Sequence, residues 1–344
     1  MLTTTVMARL GEATNRTLVL PIVMFAPTHR CNSACVSCAW WQTPAGAAEQ
    51  ELSLDDIDLL ASDLARMGTR RVVFTGGEPL LRPDIADIAR LFRRRGMTLH
   101  LLTSGLALQS RTASVAAVFE RVIVSLDGAT AAQYRAVRGV DGFDAVRSGV
   151  QSLRAAAPRI PVSARSTIHR LNFRDMPALV STAREIGCAG ISFLAADLGS
   201  AAFGHRTLPA VQTLRLSRQD VDDLRVVIDA LIRDRAADIA SGFIAEPPAK
   251  LRMIAQYYAA MNGDGPFPPK ACNAPWMSAV IKANGDVRPC FFHDVVGNVR
   301  RDRIATIART ALPAFRATLD VASNETCGRC VCSLKVGWRS QPWA

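Results

Sequence analysis

The chain has 344 residues, 49% of them hydrophobic, and 41 Lys and Arg against 30 Asp and Glu give it a formal charge of +11. This composition excludes a disordered or fibrous protein, and the length favours one large domain with a smaller one. No apolar stretch approaches the roughly 20 residues of a membrane span and no signal peptide is evident, so we expect a cytoplasmic protein without membrane contact. Because the basic residues are scattered and not clustered in blocks, we do not expect a nucleic-acid partner, and the basic excess favours an anionic small substrate.

From residue 18 to residue 197, short apolar runs rich in β-branched residues alternate with amphipathic stretches long enough for helices. The predicted strands are 18–26, 71–75, 98–103, 121–126, 160–168 and 190–195, and the predicted helices are 53–67, 83–95, 107–119, 142–156 and 175–187. This order is typical of a parallel sheet. With polar residues at the strand ends, it predicts an α/β fold, a partial (β/α)6 TIM-like barrel with its site at the C-terminal rim.

The pattern changes after residue 197. A charged helix is predicted near 217–237, a Pro-rich stretch follows, and the Asn284-Gly285-Asp286 turn predicts a β-hairpin over 276–291. A helix near 301–318 leads to the last cysteines. We therefore predict a barrel core over 1–200, a linker and helical segment over 201–270, and a small separate cysteine module over 271–344.

Nine cysteines in a cytosolic chain indicate metal binding or catalysis rather than disulfides. Cys31, Cys35 and Cys38 lie within eight residues, just after the first predicted strand. Three thiolates can bind a cubane cluster and leave one iron open for a ligand. The alternative is zinc, which usually has four protein ligands, and His29 is the only other donor nearby. The isolated Cys188 is interpreted as a small buried hydrophobic residue.

A second motif, Thr75-Gly76-Gly77-Glu78-Pro79, directly follows a predicted strand. Paired glycines let the backbone approach a ligand closely, and the Glu78 carboxylate can accept hydrogen bonds from an ammonium group. The motif is weak evidence alone, but one βα unit after a C-x3-C-x2-C loop it is specific.

These two motifs together resemble the radical S-adenosylmethionine superfamily, over roughly residues 18–197. The resemblance implies that the three cysteines bind a [4Fe–4S] cluster and that Gly76, Gly77, Glu78 and Pro79 hold the methionyl amine of S-adenosylmethionine. It also implies reductive cleavage of that cofactor to a 5′-deoxyadenosyl radical, with an electron donor such as flavodoxin or ferredoxin as partner. Further cofactor contacts are implied for Thr103, Ser125 and Arg165. The family's usual aromatic residue before the third cysteine is Ser37 here, and Trp40 or Trp41 can supply that surface instead.

The C-terminal cysteines resemble the SPASM and Twitch auxiliary-cluster domains of this superfamily. Cys272, the turn glycine Gly285 and Cys290 match the spacing of the family's first hairpin. With Cys327 and Cys330 they imply four ligands for one auxiliary [4Fe–4S] cluster, although four cysteines also permit a zinc site. The remaining thiol, Cys332, is a replacement ligand, an inert residue or a hydrogen-atom donor to a substrate radical.

The resemblance leads us to expect hydrogen abstraction from a small polar substrate such as a sugar, aminocyclitol or nucleoside, giving oxidation, epimerisation or decarboxylation. Fewer than 20 residues precede the first predicted strand, too few for a peptide-recognition domain. The alternatives are modification of a ribosomally made peptide, the cyclase of molybdenum-cofactor synthesis, and a non-enzymatic metal-held scaffold. The candidate bases are Asp127, Asp197 and Glu246.

Overall fold

The computed structural model describes residues 3–44, 50–200, 202–203 and 209–338 and contains a nine-stranded sheet. Its strands are β1 Ile22–Phe25, β2 Arg71–Phe74, β3 Thr98–Thr103, β4 Arg121–Ser125, β5 Val162–Ile168, β6 Gly190–Ala195, β7 Ser278–Ile281, β8 Asp286–Arg288 and β9 Gly297–Asn298. The spatial order is β6-β5-β4-β3-β2-β1-β7-β8-β9. The first seven strands run parallel, and β8 and β9 are added antiparallel.

The described helices cover the sheet and extend into the C-terminal segment. They are α1 Thr4–Ala13, α2 Leu54–Arg66, α3 Ile85–Arg93, α4 Thr112–Val118, α5 Ala131–Arg138, α6 Phe143–Ala156, α7 Met176–Glu185, α8 Arg218–Asp234, α9 Ala236–Ala240, α10 Pro248–Met261, α11 Ala274–Met277, α12 Ile304–Arg309, α13 Ala311–Ala317 and α14 Glu325–Gly328. Within the described residues, no helix is both long enough and apolar enough to cross a membrane.

Local sequence explains where the main helices begin and which strand face is buried. The Ser53 hydroxyl accepts the Asp56 N–H at 3.1 Å while the Asp56 carboxylate accepts the Ser53 N–H at 3.0 Å, a capping box that starts α2. In β5, Val162 and Ala164 are buried in the core, whereas Arg165 lies on the opposite, inner face of the sheet. Polar groups on that inner face are therefore available to a site.

The core lies between the outer face of the sheet and the helices. Phe25, Phe74, Phe92 and Phe119 stack edge to face or tilted, with ring centroids 5.2 to 5.7 Å apart. One continuous cluster of buried apolar residues extends from Leu20 to Leu312. The barrel strands and the C-terminal segment thus share a core.

Six parallel strands in sequence order confirm the predicted α/β fold with a partial (β/α)6 barrel. The first strand is shorter than predicted, since Pro21 has no N–H to donate to a ladder. Helices α1 and α5 were not predicted. The Pro-rich stretch turned out to start α10, where Pro248 occupies the first helical position. The helix predicted over 301–318 is two helices, divided at Thr310.

The predicted hairpin exists and joins the barrel sheet directly. Strand β7 pairs in parallel with β1, and the Ala26 N–H donates to the Ile281 carbonyl at 2.9 Å. On the outer side, Arg303 donates twice to the Asp63 carboxylate of α2, at 2.6 and 2.7 Å. The sheet is therefore continuous between the barrel and the C-terminal cysteine module, and the predicted boundaries at residues 200 and 270 stay predictions. Residues 204–208 of the predicted linker lie outside the described residues.

Candidate functional site

The cysteine loop follows β1 and is held by the C-terminal end of α5. The Ala34 N–H donates to the Arg138 carbonyl at 2.9 Å, and the Val36 N–H donates to the Val137 carbonyl at 3.1 Å. Gly139 has a φ of +68°, and a Cβ there would lie 2.2 Å from the Ala34 carbonyl oxygen. Only glycine combines that backbone conformation with such a close approach. The shape of the loop therefore depends on a helix distant in sequence.

The three thiols of the loop affect one another electrostatically. Burial raises the pKa of Cys31, Cys35 and Cys38, that of Cys38 to about 12, and charge on Cys35 raises the pKa of the other two further. Iron would favour the thiolates and release these protons. Three thiol donors on one loop fit a [4Fe–4S] cluster with an open iron. Among the described residues, no group of three or more His, Cys, Asp or Glu side chains is close enough together to bind a single metal ion.

The Gly-Gly-Glu-Pro segment packs directly on the cysteine loop. The Gly77 N–H donates to the Thr28 carbonyl at 3.1 Å, and the Glu78 N–H donates to the Arg30 carbonyl at 2.8 Å. A Cβ at Gly77 would lie 2.1 Å from the Arg30 carbonyl oxygen. The glycines were expected to allow close approach to a ligand; in the structure they allow close approach to the loop that carries the thiols.

The Glu78 carboxylate is fully buried and accepts three hydrogen bonds from the chain itself. Its Oε1 accepts the Thr103 hydroxyl at 2.8 Å and the Leu80 N–H at 3.0 Å, and its Oε2 accepts the Ser104 N–H at 2.6 Å. The Ser104 hydroxyl in turn donates to Asn32 Oδ1 at 3.2 Å, beside Cys31. Glu78 and Thr103, expected to contact the cofactor, are thus placed where they join the ends of β2 and β3 to the cysteine loop.

The remaining predicted contacts are Ser125, at the end of β4, and Arg165, in the middle of β5. Ser125 and Arg165 are register partners, and Arg165 Nε donates to Ser192 Oγ at 3.1 Å. Asp127 is buried, with Oδ1 accepting the Thr167 N–H at 2.7 Å and Oδ2 paired with Arg138 at 3.1 Å. Both carboxylate oxygens of this candidate base are therefore engaged in holding other groups.

Aromatic rings link the cysteine loop to the C-terminal hairpin. The Trp40 ring lies 5.9 Å from the rings of His29 and Phe203, and Phe203 stacks on Phe291 at 5.8 Å. Trp41 is 40% exposed. Of the two tryptophans proposed as a replacement surface, Trp40 is the one that packs beside the loop. Phe203 and Phe291 were missed because no motif marks them.

The C-terminal cysteines gather beside the hairpin. Burial raises the pKa of the Cys327 thiol, and the charges on Cys290 and Cys272 raise it further, to about 11. The Cys332 N–H donates to the Cys330 sulfur at 3.3 Å. Four thiols from two separate segments fit the donor set of an auxiliary cluster, as they also fit zinc.

One residue at these thiols was not anticipated from the sequence. His293 Nε2 lies 3.3 Å from the Cys327 sulfur, and its ring packs on Phe315 with centroids 4.9 Å apart. The chain has only five His, and the position of this one, three residues after Cys290, was the available signal. His293 is placed to orient the Cys327 sulfur.

A cavity of about 230 Å³ lies between β6, α10 and the cysteine tail. Arg165, Glu246 and Cys332 all line it. Glu246 Oε2 accepts the Phe193 N–H at 2.9 Å, and burial raises the pKa of the carboxyl. The third candidate base, Asp197, instead accepts the N–H groups of Gly199 and Ser200 in the turn after β6. Only Glu246 of the three bases lines this cavity.

Two protein-family models match the chain, one over each of the two cysteine regions. The model of the Radical SAM superfamily matches residues 25–183. The model of SPASM, an iron–sulfur cluster-binding domain, matches residues 272–331. The matched ranges contain the loop thiols and four of the five tail thiols, with Cys332 just beyond.

Curated relatives and solved structures also resemble the chain. A PqqA peptide cyclase of Ruegeria pomeroyi is 29% identical over 332 residues, 93% of this chain and 82% of that protein. The Fe-coproporphyrin III synthase of Methanosarcina barkeri is 33% identical over 206 residues, 59% of this chain and 50% of that protein, so the chain spans half of that relative. SuiB of Streptococcus suis bound to S-adenosylmethionine has a TM-score of 0.66 at 15% identity, covering 96% of this chain and 76% of that one, and shows the fold alone.

Proposed function

Since this chain belongs to the radical S-adenosylmethionine superfamily and carries a SPASM domain, we propose that it is an enzyme that modifies a peptide. The alignment with a PqqA peptide cyclase over 93% of the chain carries the proposal. A second such cyclase, from Xanthomonas campestris, is 25% identical over 82% of the chain. These relatives favour the peptide alternative over the sugar, aminocyclitol or nucleoside substrate that the sequence led us to expect.

The cofactors of this enzyme are S-adenosylmethionine and two [4Fe–4S] clusters, one in each matched region. In our proposal Cys31, Cys35 and Cys38 hold the first cluster, and Gly76 to Pro79 with Ser125 hold the cofactor. Cys272, Cys290, Cys327 and Cys330 hold the second cluster. When bound, these groups supply a 5′-deoxyadenosyl radical that removes one hydrogen atom from a substrate carbon, and an acceptor for a further electron.

The chain's own residues position these groups and move a proton. Glu78 fixes the loop geometry through Thr103 and Ser104. Arg138 holds a cation near Cys35: burial lowers the pKa of its guanidinium, but the charges of Cys35 and Asp127 raise it, and the net shift is upward. Glu246, in the cavity, accepts a proton from the substrate as it is oxidised. An enzyme of this family needs a reductant, and flavodoxin or ferredoxin is the proposed donor.

Anaerobic reconstitution tests the core of the proposal. We expect about eight irons per chain and reductant-dependent 5′-deoxyadenosine, and a Cys31/Cys35/Cys38→Ala variant with about four irons and no cleavage. The matched control, Cys272/Cys290→Ala, should keep the first four irons. Short peptides and a panel of sugars, aminocyclitols and nucleosides are then compared for stimulation of 5′-deoxyadenosine formation. Stimulation by the small molecules and not by peptides would show that the substrate class is wrong.

The role of Glu246 is checked with a peptide that stimulates cleavage. A base must be deprotonated to work, and burial raises the pKa of Glu246, so peptide turnover should rise with pH through a range above that of an ordinary Glu. Glu246→Gln should remove this limb of the pH profile and slow turnover by about 10²-fold. An unchanged profile in the variant would assign the base elsewhere.

A further inference from the structure

The cavity between β6, α10 and the cysteine tail has an unusual set of charges. Three cations line it, Arg165 from β5, Lys250 from α10 and Lys270 from the segment that precedes Cys272. The chain has four lysines, so half of them line this one cavity. Glu246 is the carboxylate of the lining, and it already accepts the Phe193 N–H. The lining of this cavity therefore carries more positive than negative charge.

In the part of the chain that the structure describes, none of the three cations forms a close ion pair, although Glu246 lies within electrostatic range of Lys250 and Arg165. Arg165 donates to a hydroxyl, that of Ser192, and across the described ranges neither Lys250 nor Lys270 takes part in an ion pair. Elsewhere on the chain, Arg82 and Arg303 form close ion pairs with carboxylates. Like charges in a partly enclosed cavity repel each other, and a bound anion relieves that repulsion while accepting charge-assisted hydrogen bonds.

The position of the cavity connects it to the proposed chemistry. All three cations lie within electrostatic range of the Cys332 thiol, as does the Asp197 carboxylate; Cys332 is exposed and follows the tail ligand Cys330 by two residues. Arg165 is level with Ser125 on the inner face of the sheet. An anion in this cavity lies where the inner face of the barrel meets the cysteine tail.

We propose that this cavity binds a carboxylate of the peptide substrate, through Lys250 and Lys270 together with Arg165. The proposal rests on the proposed function, because it names the part of a peptide that this site selects. The competing ligand is the carboxylate of S-adenosylmethionine, for which the family resemblance suggests Arg165. Lys250 and Lys270 lie outside residues 25–183, the range that the Radical SAM model matches, which favours the substrate.

Matched peptides test the proposal on the reconstituted enzyme with S-adenosylmethionine present. The probes are fluorescently labelled acetyl-Ala-Ala-Glu-Ala-Ala-amide, its Gln counterpart, and the Gln peptide with a free C-terminal carboxylate, followed by fluorescence anisotropy. The enzyme should bind a carboxylate peptide about tenfold more tightly than the neutral one at low salt. The Glu probe carries its carboxylate on a side chain and the third probe carries it at the C-terminus, so comparing the two shows which carboxylate the cavity prefers. A Lys250→Gln/Lys270→Gln variant should lose the preference, and Lys335→Gln, an exposed lysine outside the cavity, should keep it.

Cofactor affinity and iron content separate the possible failures. The double variant should bind S-adenosylmethionine as tightly as the parent enzyme and hold the same iron. Weaker cofactor binding with an intact carboxylate preference would assign the cations to the cofactor and overturn the proposal. Equal binding of all three peptides would also overturn it. If peptides still stimulate 5′-deoxyadenosine formation in either case, the proposed function stands without this recognition site.

Discussion

At the scale of single residues, the ion pair between Asp127 and Arg138 connects the segment after β4 to the cysteine loop. Asp127 ends a strand at the barrel rim, where a catalytic base is expected. Its carboxylate instead holds the Thr167 N–H and Arg138, and the backbone of Arg138 holds the cysteine loop. The pair therefore has a positioning role, through a guanidinium that is 12% exposed.

Replacing Arg138 by Gln should be strongly destabilising. The substitution leaves the Asp127 carboxylate buried without its cation, and we expect a loss of about 3 kcal/mol in the free energy of unfolding. Urea denaturation measures this loss, and Asp127→Asn/Arg138→Gln should recover part of it because the charge is removed from both sides. A loss in the double variant equal to the sum of the two single losses would show that the two side chains are not coupled.

At the scale of elements, Asn273 joins three segments next to Cys272. Its Oδ1 accepts the Val336 N–H at 2.9 Å, and its Nδ2 donates to the Val336 carbonyl at 3.1 Å and to Glu12 of α1 at 3.0 Å. Ala8, Met277 and Val336 form a small apolar cluster beside it. Helix α1 and the segment after Cys332 thus hold the tail thiols in place.

The Asn273→Ala variant should release the tail. Three hydrogen bonds of a fully buried amide are lost, at a cost of about 2 kcal/mol. We expect faster proteolysis between residues 331 and 338, and a drop from about eight irons to about four after reconstitution. Asn273→Asp keeps the acceptor for the Val336 N–H but places a carboxylate oxygen against Glu12 and the Val336 carbonyl, so it should destabilise the tail at least as much as the Ala variant. Full iron and unchanged proteolysis in the Ala variant would contradict this role.

At the scale of the whole molecule, the C-terminal hairpin is part of the barrel sheet. Strand β7 pairs with the edge of β1 that β2 leaves free, and residues of both regions contribute to one apolar cluster. An exposed edge of parallel sheet is an unstable and aggregation-prone surface. The auxiliary region therefore supports the barrel as well as carrying thiols.

We expect the two regions to unfold together. Urea denaturation of the apoprotein should give one transition, with the same midpoint by far-UV circular dichroism and by tryptophan fluorescence. A chain cut after residue 270 should be insoluble or lack a cooperative transition, because it exposes the free edge of β1. Two separate transitions, or a stable shortened chain, would show that the auxiliary region folds independently.

The sequence by itself determined the parallel βα order, the two cysteine regions and the Gly-Gly-Glu-Pro segment. Hydrophobic periodicity and the spacing of ligands on one loop are local properties that the chain displays directly. Tertiary structure alone decided that Arg138 supports the cysteine loop, that β7 pairs with β1, and that two lysines converge with Arg165 and Cys332 on one cavity. These contacts join segments far apart in sequence, and packing of the whole core decides which of them meet.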